Sequence, residues 1–337
     1  MRIGILSSGG DCPGINAAIR GVGKTALNHY GMEVLGIRSG FQGLLSKDFI
    51  EFNYNTLTGL LSLGGTILGT SREKPFKQLL KDDEKKPQII INSYNELGLD
   101  CLVCIGGNGT QKTAYKMSQL GLNLITIPKT IDNDVWGTDM TFGFDTAVQI
   151  ATDAIDRLHS TASSHKRVMV IEVMGHKAGW IALYAGMAGG ADVILIPELG
   201  YNLDKIIDTI QHRDDRGKSY SIIVIAEGVE IGGQNHKTSS VLSKLIEDRT
   251  GIETRETILG YVQRGGSPTA FDRNLSTQLG VHAAELIAQG QFGQMVRLKD
   301  GNISSISLEK VASKMKTVNP NHDLITQGKR LGISFGI

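Results

Sequence analysis

Hydrophobic and polar residues alternate along this chain in blocks of two kinds. Short apolar runs of strand length end in glycine or in polar residues, and most are followed by longer stretches with apolar residues three or four positions apart. The predicted strands are residues 3–6, 33–37, 101–105, 124–128, 167–173, 192–196, 221–226, 253–259, 295–298 and 303–308. Strands that alternate with helices predict parallel sheets covered by helices, which is an α/β fold.

Residues 101–134 combine the features of this pattern that carry chemistry. They predict a strand, a glycine turn, a helix, a second strand and an acidic turn. A right-handed parallel unit places both turns at the carboxyl edge of the sheet, where open α/β sheets bind ligands. The glycine turn can hold phosphate oxygens with its backbone. In the acidic turn, Asp132 can take a hydroxyl proton and Asp134 can bind or orient Mg²⁺, so the pair of turns suits phosphoryl transfer.

Other loops at predicted strand ends carry further candidates. The glycine-rich residues 7–14 lead into a helix from about residue 15, which is a second possible anion site, although many such turns have no ligand. Arginines that flank strands or lie in glycine turns can clamp phosphate, although most arginines are solvated surface residues. These arginines are Arg72, Arg167, Arg255 and Arg264. His176 and Tyr261 occupy loops where they could bind a phosphate or a hydroxyl.

The length of 337 residues favours two α/β domains. A predicted helix over residues 142–159, capped by Asp145, would connect them. Charge is balanced, with 35 Lys and Arg against 34 Asp and Glu, so the basic excess of a nucleic-acid surface is missing. No apolar run has membrane-spanning length.

The three cysteines give no metal or disulfide signature. Cys101 and Cys104 form a CxxC, but in a strand positions three apart face opposite sides. An odd cysteine count without a disulfide framework favours a reducing, cytoplasmic location.

Taken together, the motifs resemble those of the phosphofructokinase family over essentially the full length. They are SGGDCPGINAAIRG, GGTILGTSR, GGNGT, PKTIDNDV, VMVIEVMGHKAGW, AEGV and RETILGYVQRGGSPTAFDR, in this order. The resemblance implies two Rossmann-like three-layer α/β/α domains with the active site in the cleft between them. Residues 1–143 with about 264–312 would form the larger ATP-binding domain, and about 144–263 with 313–337 the smaller sugar-phosphate domain.

The resemblance also implies an activity and a role for each matched residue. The activity is transfer of a phosphoryl group from ATP to the 1-hydroxyl of fructose 6-phosphate, with Mg²⁺, in glycolysis. Asp132 is the expected base, with Thr130 and Arg72 beside it in catalysis. The donor site matches Gly10, Arg72, Gly107, Asn108, Gly109 and Thr110. The substrate site matches Thr130, Ile131, Asp132, Arg167, Met174, Gly175, His176, Glu227, Arg255, Tyr261 and Arg264. Arg167 and Arg255 would reach the active site of a neighbouring subunit, so a homo-oligomer, a tetramer or a dimer, is implied.

Three positions bear on whether the phosphoryl donor is ATP or pyrophosphate. Asn108 stands where the bacterial ATP enzymes carry an aspartate that serves Mg²⁺, so Asp134 would supply more of the metal site. Gly109 matches ATP users, whereas pyrophosphate users place an aspartate there. Lys129 is typical of pyrophosphate users. Because room for the α-phosphate is a steric requirement, Gly109 decides, and ATP is the predicted donor; the alternative is a pyrophosphate-dependent enzyme.

Two other hypotheses remain from the sequence. GGNGT alone also fits kinases of the NAD or lipid type, although these lack the PKTIDND and QRGGSP loops. A non-catalytic regulatory member of the family would be consistent with Asn108, although Thr130, Asp132 and Arg264 are retained.

Overall fold

A computed structural model describes residues 1–77, 85–231 and 238–337 of the chain. These residues form two compact units. Unit 1 comprises Met1–Thr130, Asp134–Thr146 and Arg264–Lys316, and unit 2 comprises Ile131–Asn133, Ala147–Gln263 and Thr317–Ile337.

The two units differ from the expected domains by a few residues. Residues 144–146 belong to unit 1, where the backbone N–H of Thr146 donates to Asp272. Residues 313–316 also belong to unit 1, where the N–H of Lys316 donates to the carbonyl of Asp134. Residues 131–133 group with unit 2.

The strands of the described residues form one sheet in each unit. They are β1 (Arg2–Ser8), β2 (Glu33–Ile37), β3 (Phe49–Phe52), β4 (Cys101–Gly106), β5 (Leu124–Pro128), β6 (Val168–Val173), β7 (Val193–Leu195), β8 (Ser221–Ala226), β9 (Thr254–Ile258), β10 (Gln294–Lys299) and β11 (Asn302–Ser307). The sheet of unit 1 has the order β11-β10-β5-β4-β1-β2-β3, and that of unit 2 has the order β7-β8-β6-β9. The strands from β10 to β2 pair in parallel, as do all four of unit 2. The predicted α/β architecture is confirmed.

The helices alternate with these strands along the chain. They are α1 (Ile15–Asn28), α2 (Phe41–Ser46), α3 (Lys86–Glu96), α4 (Asn108–Gln119), α5 (Phe144–His165), α6 (Trp180–Ala188), α7 (Leu203–Asp215), α8 (Thr238–Thr250), α9 (Ala270–Ala288), α10 (Leu308–Val311) and α11 (Asp323–Arg330). Strands β1, β4 and β5 have almost entirely buried side chains because helices cover both faces of a parallel sheet. No helix in the described ranges is long and apolar enough to cross a membrane.

The N-terminus of α5 is capped by Asp272, which is distant in the sequence. Asp272 accepts hydrogen bonds from the N–H of Gly143 at 2.9 Å and of Thr146 at 2.8 Å. The prediction that Asp145 caps this helix is therefore wrong: the helix begins at Phe144, so Asp145 lies within its first turn. The Asp145 carboxylate instead accepts from the hydroxyl of Thr269, the N-cap of α9, at 2.6 Å. The two helix N-termini are thus tied together.

Strands β10 and β11 form a hairpin that closes through a two-residue turn. Lys299 pairs with Asn302, and the two residues between them have positive φ, 50° for Asp300 and 77° for Gly301. Positive φ at both central positions is the property of a type I′ turn. Strand β3, an antiparallel edge strand beside β2, was not expected from the sequence.

Candidate active site

Three loops of unit 1 meet at one edge of its sheet. Ser8 of β1 is in register with Gly106 of β4, and Gly106 is in register with Pro128 of β5. Beyond these ends, the N–H of Lys129 donates to the carbonyl of Gly106 at 3.1 Å. The prediction that the glycine turn and the acidic turn emerge at the same edge is confirmed.

The first glycine loop follows β1 and is held by two cationic side chains. The Lys129 ammonium is buried and donates to the carbonyls of Ser8, at 3.2 Å, and of Gly10. The Arg264 guanidinium donates to the carbonyl of Asp11 at 3.2 Å. A Cβ at Gly10 would lie 2.6 Å from Nη1 of Arg264, so the close approach of the guanidinium requires a glycine there. Two cationic side chains, Lys129 and Arg264, therefore lie at this loop.

The segment that carries Arg72 is fastened to the same loop. The N–H of Gly9 donates to the carbonyl of Ser71 at 2.9 Å, and the Thr70 hydroxyl donates to the carbonyl of Gly9 at 2.7 Å. The Ser7 hydroxyl donates to the carbonyl of Gly69 at 2.8 Å. These bonds place the backbone before Arg72 beside Gly10. Sequence reasoning missed Ser7 and Thr70, because small hydroxyl residues in a glycine-rich stretch carry no distinctive signal.

The second glycine loop opens α4 with Gly107 as its N-cap. A Cβ at Gly106 would lie 2.2 Å from the Thr110 hydroxyl, so packing requires that glycine. A Cβ at Gly109 would meet no atom within 4 Å apart from its chain neighbours and the backbone of its own helix. Asn108, Gly109 and Thr110 form the first turn of the helix, whose N–H groups and positive dipole end favour anions.

The acidic turn after β5 is buried. The carbonyl of Thr130 accepts from the hydroxyl of Thr141 at 2.7 Å. Ile131 is fully buried, and Asp132 and Asp134 are 8% and 6% exposed. The alternative of a solvated surface turn therefore does not hold, because buried carboxylates are rare unless they have partners or a function.

The two predicted metal residues, Asn108 and Asp134, are in contact through the backbone. The side-chain amide of Asn108 donates to the carbonyl of Asp134 at 3.2 Å. This bond uses the amide nitrogen, so Oδ1 is the one atom with which the Asn108 side chain can ligate a cation. Within the described residues, no three His, Cys, Asp or Glu side chains cluster as a metal site.

In unit 2, the loops after β6 and β8 are joined by one carboxylate. Glu227 accepts from the N–H of His176 at 2.8 Å and of Gly175 at 3.3 Å. His176 has a φ of 55° and an exposed side chain. Met174, Gly175, His176 and Glu227, which were expected to bind substrate, are thus brought together at the carboxyl edge of this sheet.

Arg167 and Arg255 share Glu253 as a carboxylate partner in unit 2. Their guanidinium groups lie 3.2 Å and 2.8 Å from Oε1 of Glu253. Within the described part of the chain, the buried Nε atoms of Arg167 and of Arg264 in unit 1 have no hydrogen-bond partner. These guanidinium groups can therefore turn toward a ligand without losing a hydrogen bond at Nε. Tyr261, in the short 3-10 segment Gly260–Arg264, is 75% exposed.

The fold and the loops define an α/β protein with two glycine-rich loops beside a buried acidic turn. Sequence comparison is consistent with this class, because the phosphofructokinase family profile matches residues 2–287. The chain belongs to the phosphofructokinase family.

Individual relatives cover the whole chain. It is 66% identical over 337 residues to ATP-dependent 6-phosphofructokinase 3 of Bacteroides thetaiotaomicron, with 100% of both chains aligned. It is 54% identical to the ATP-dependent 6-phosphofructokinase of Spirochaeta thermophila, covering 99% of this chain and 97% of the relative. Among solved structures, phosphofructokinase from Saccharomyces cerevisiae superposes with a TM-score of 0.83 at 31% identity, over 92% of this chain and 45% of the yeast chain.

Proposed function

We propose that this protein is an ATP-dependent 6-phosphofructokinase. It transfers the γ-phosphoryl group of ATP to the 1-hydroxyl of fructose 6-phosphate and releases fructose 1,6-bisphosphate and ADP, a step of glycolysis. The full-length relatives named for this activity, at 66% and 54% identity, support the proposal.

The structural observation that carries the choice of donor is the open space at Gly109. Apart from its chain neighbours and the backbone of its own helix, a Cβ there would meet no atom within 4 Å, and the residue does not have positive φ. Neither packing nor backbone conformation therefore requires glycine at this position, in contrast to Gly106. The ligand then accounts for the glycine at position 109, because the absence of a side chain leaves room for the rest of a nucleotide beyond its β-phosphate.

Lys129, the residue that favours pyrophosphate by resemblance, is compatible with ATP in this arrangement. Its ammonium donates to the carbonyls of Ser8 and Gly10. We therefore assign Lys129 to holding the first glycine loop. The loop backbone and the N-terminus of α4 are then available to the donor phosphates.

The chemical step needs positioning and charge neutralisation more than covalent catalysis. The 1-hydroxyl oxygen of the sugar bonds to the γ-phosphorus while the bond from that phosphorus to the β,γ-bridging oxygen breaks. Asp132 takes the hydroxyl proton, and ADP leaves with the bridging oxygen. Thr130 and Arg72 stabilise the charge of the transferring group. Because Asp132 lies in a buried turn, these interactions act in a medium of low dielectric constant, which strengthens them.

The residues at the acidic turn fit Mg²⁺ bound chiefly through the donor phosphates. Mg²⁺ retains several waters and takes one or two protein oxygens in such sites. Oδ1 of Asn108 and the carboxylate of Asp134 can supply them, and the bond from Asn108 to Asp134 keeps the two residues adjacent. When bound, Mg²⁺ would neutralise part of the phosphate charge.

The sugar phosphate is assigned to Arg264 and to the loops of unit 2. Met174, Gly175, His176, Glu227 and Tyr261 would contact the sugar. Arg264 would bind the 6-phosphate, with its unpartnered Nε as an additional donor.

A homo-oligomer, either a dimer or a tetramer, is part of the proposal. Strand β9 lies at the edge of the sheet of unit 2. Ile258, the last residue of β9, is 38% exposed, and Tyr261 and Val262 beyond it are 75% and 62% exposed. The side chain of Arg255 is half exposed. A second copy that covers this surface would bring Arg167 and Arg255 to the neighbouring active site. A cytoplasmic location is proposed because all three cysteines are buried free thiols.

The decisive experiment measures fructose 1,6-bisphosphate formation with ATP and with pyrophosphate side by side. We expect turnover with ATP and at least about tenfold less with pyrophosphate, a difference of about 1.4 kcal/mol in transition-state binding. Preference for pyrophosphate would support the second candidate, the pyrophosphate-dependent enzyme that Lys129 suggests. Binding of fructose 6-phosphate without turnover from either donor would indicate a regulatory protein.

A further inference from the structure

Residues 53–72 form a long irregular segment that contains neither α-helix nor β-strand. It ends at Arg72, whose side chain is exposed and which the proposed function places at the donor. In a segment without a regular hydrogen-bond ladder, the path of the backbone depends on side chains that bond to it.

Asn16 on α1 provides the largest set of such bonds to the middle of this segment. Its amide nitrogen donates to the carbonyls of Leu63 at 3.1 Å and Gly64 at 3.2 Å. Its amide oxygen accepts from the N–H of Ile67 at 2.8 Å. The amide nitrogen and the amide oxygen are both used, and the side chain is 1% exposed, so water cannot replace these bonds.

The part of the segment that Asn16 holds also contacts the turn that carries Arg264. The Ser267 hydroxyl donates to the carbonyl of Ser62 at 2.6 Å. A Cβ at Gly64 would lie 2.3 Å from the carbonyl oxygen of Gly266, so the two backbones are in direct contact. Asn16 therefore lies behind both loops that present an arginine to the proposed substrates.

We propose that Asn16 is a positioning residue for phosphoryl transfer, which acts by fixing the path of residues 63–67 and, through them, the position of Arg72. The inference rests on the proposed function. Asn16 itself lies beneath the segment and contacts its backbone. Misplacement of a catalytic group by about 1 Å can cost on the order of 10²-fold in rate. Loss of these three bonds should accordingly lower turnover while leaving the fold intact.

The test is a double-mutant cycle on the full-length protein with Asn16→Ala and Arg72→Ala. If Asn16 acts through Arg72, Asn16→Ala lowers kcat by roughly 10–10²-fold in the wild type but by less than about threefold in the Arg72→Ala background. Equal losses in both backgrounds, or no loss in the wild type, would contradict the proposal. Asn53→Ala is the matched control, because Asn53 also bonds to backbone N–H groups of this segment, at Asn55 and Thr56, but at the opposite end of the segment from Arg72 in sequence.

A second variant and a second measurement separate positioning from loss of folding. Asn16→Asp keeps the size of the side chain and its acceptor for Ile67, but places a carboxylate against the carbonyls of Leu63 and Gly64. If Asn16→Ala does not fold, the cycle is run with Asn16→Asp. Amide exchange measured without nucleotide should rise for residues 63–72 in either variant and remain unchanged in α1. Unchanged exchange in that segment would overturn the proposal.

The outcome is separable from the proposed function itself. A wild-type protein without ATP-dependent turnover would refute the proposed function. A wild-type protein that turns over, together with an Asn16 variant of undiminished kcat, would refute only the role of Asn16.

Discussion

The loops of unit 1 that carry the proposed donor residues and the loops of unit 2 that carry the proposed substrate residues are held in different ways. In unit 1, backbone groups of each loop bond to the next loop, as Gly9 does to Ser71, and the buried Lys129 adds two bonds. In unit 2, Arg167 and Arg255 both pair with the partly exposed carboxylate of Glu253, and Arg255 also pairs with Glu247. Tyr261 is largely exposed.

The loops of unit 1 are therefore preorganised. In unit 2, the arginines and Tyr261 can still gain contacts from a ligand or a neighbouring subunit. Donor groups that are already fixed where charge develops need no rearrangement during the reaction. Exposed ion pairs contribute only about 0–1 kcal/mol, so a phosphate can compete with Glu253 for the arginines at low cost. Substitutions should therefore affect the rate of transfer in the first region and the affinity for the sugar phosphate in the second.

The largest effect is expected at Asp132. Asp132→Asn removes the proton acceptor while keeping the size of the side chain, so kcat should fall by about 10²–10⁴-fold with little change in KM for fructose 6-phosphate. Steady-state kinetics with ATP measure this. Asp139→Asn, which alters an exposed carboxylate paired with Lys299, serves as the control and should retain wild-type kcat. Near-normal turnover by Asp132→Asn would rule out its role as base.

The buried carboxylate of Asp272 makes the stability of unit 1 depend on pH. Burial raises the pKa of Asp272 from 3.8 to about 6, although hydrogen bonds from Thr146 and Gly143 oppose the rise. The folded state therefore binds this proton more tightly than the unfolded state, and the resulting stabilisation is present below about pH 4 and lost as the pH rises through 6.

Asp272→Asn should remove this dependence. Between pH 4 and 7, the free energy of unfolding of the wild type should fall relative to that of the variant by up to about 3 kcal/mol, at about 1.4 kcal/mol for each unit of pKa shift. Denaturant unfolding at several pH values measures it. Asp300→Asn is the control. Because the side chain of Asp300 is 81% exposed, the free energy of unfolding of this variant should change with pH as that of the wild type does. Parallel pH profiles of the wild type and Asp272→Asn would contradict the prediction.

Substitution of Arg264 tests whether this residue affects the rate of transfer, as expected for unit 1, or the affinity for the sugar phosphate, as expected for unit 2. It belongs to unit 1 and supports the first glycine loop through Asp11, but it is assigned to the sugar phosphate. Arg264→Lys should raise KM for fructose 6-phosphate by about tenfold and KM for ATP by less, because lysine cannot bind a phosphate bidentately. Arg273→Lys is the matched control, because Nε of Arg273 also donates to a backbone carbonyl, that of Pro268. A larger change in KM for ATP would assign Arg264 to the donor loop instead.

The smallest effect is expected at the shared carboxylate of unit 2. Glu253→Gln removes the carboxylate with which a phosphate competes for both arginines, so KM for fructose 6-phosphate should fall by about threefold at low salt, with kcat unchanged. The difference should disappear as ionic strength increases, because exposed ion pairs are screened. Glu247→Gln, which affects only the 3.4 Å contact with Arg255, should have less effect. A fall in kcat of Glu253→Gln would show that unit 2 is as preorganised as unit 1.

Much of the fold could be predicted from local pattern. The strand, turn and helix of residues 101–119 follow from an apolar run, a glycine cluster and a helical period, all of which act within a few residues of one another. The I′ turn at Asp300 and Gly301 is equally local. Strand β3 was missed because only pairing with β2 makes a strand of these four residues.

Part of the candidate site could likewise be predicted from the sequence, and part could not. Gly107, Gly109 and Asp132 could be named from the sequence because they stand at strand ends in motifs that resemble those of a family. That Gly109 faces open space and Gly106 does not is invisible in the sequence, where the two glycines look alike.

The sequence by itself determined the alternation of strands and helices, the edge of each sheet at which the loops emerge, and the residues that resemble a phosphofructokinase. Only the tertiary structure decided which side chains hold those loops. Asn16 bonds to Leu63 across 47 positions, Lys129 to Ser8 across 121, and Asp272 to Gly143 across 129. Periodicity reports the structure of a residue's immediate neighbours, whereas these contacts exist only once the chain has packed and buried polar groups must find partners.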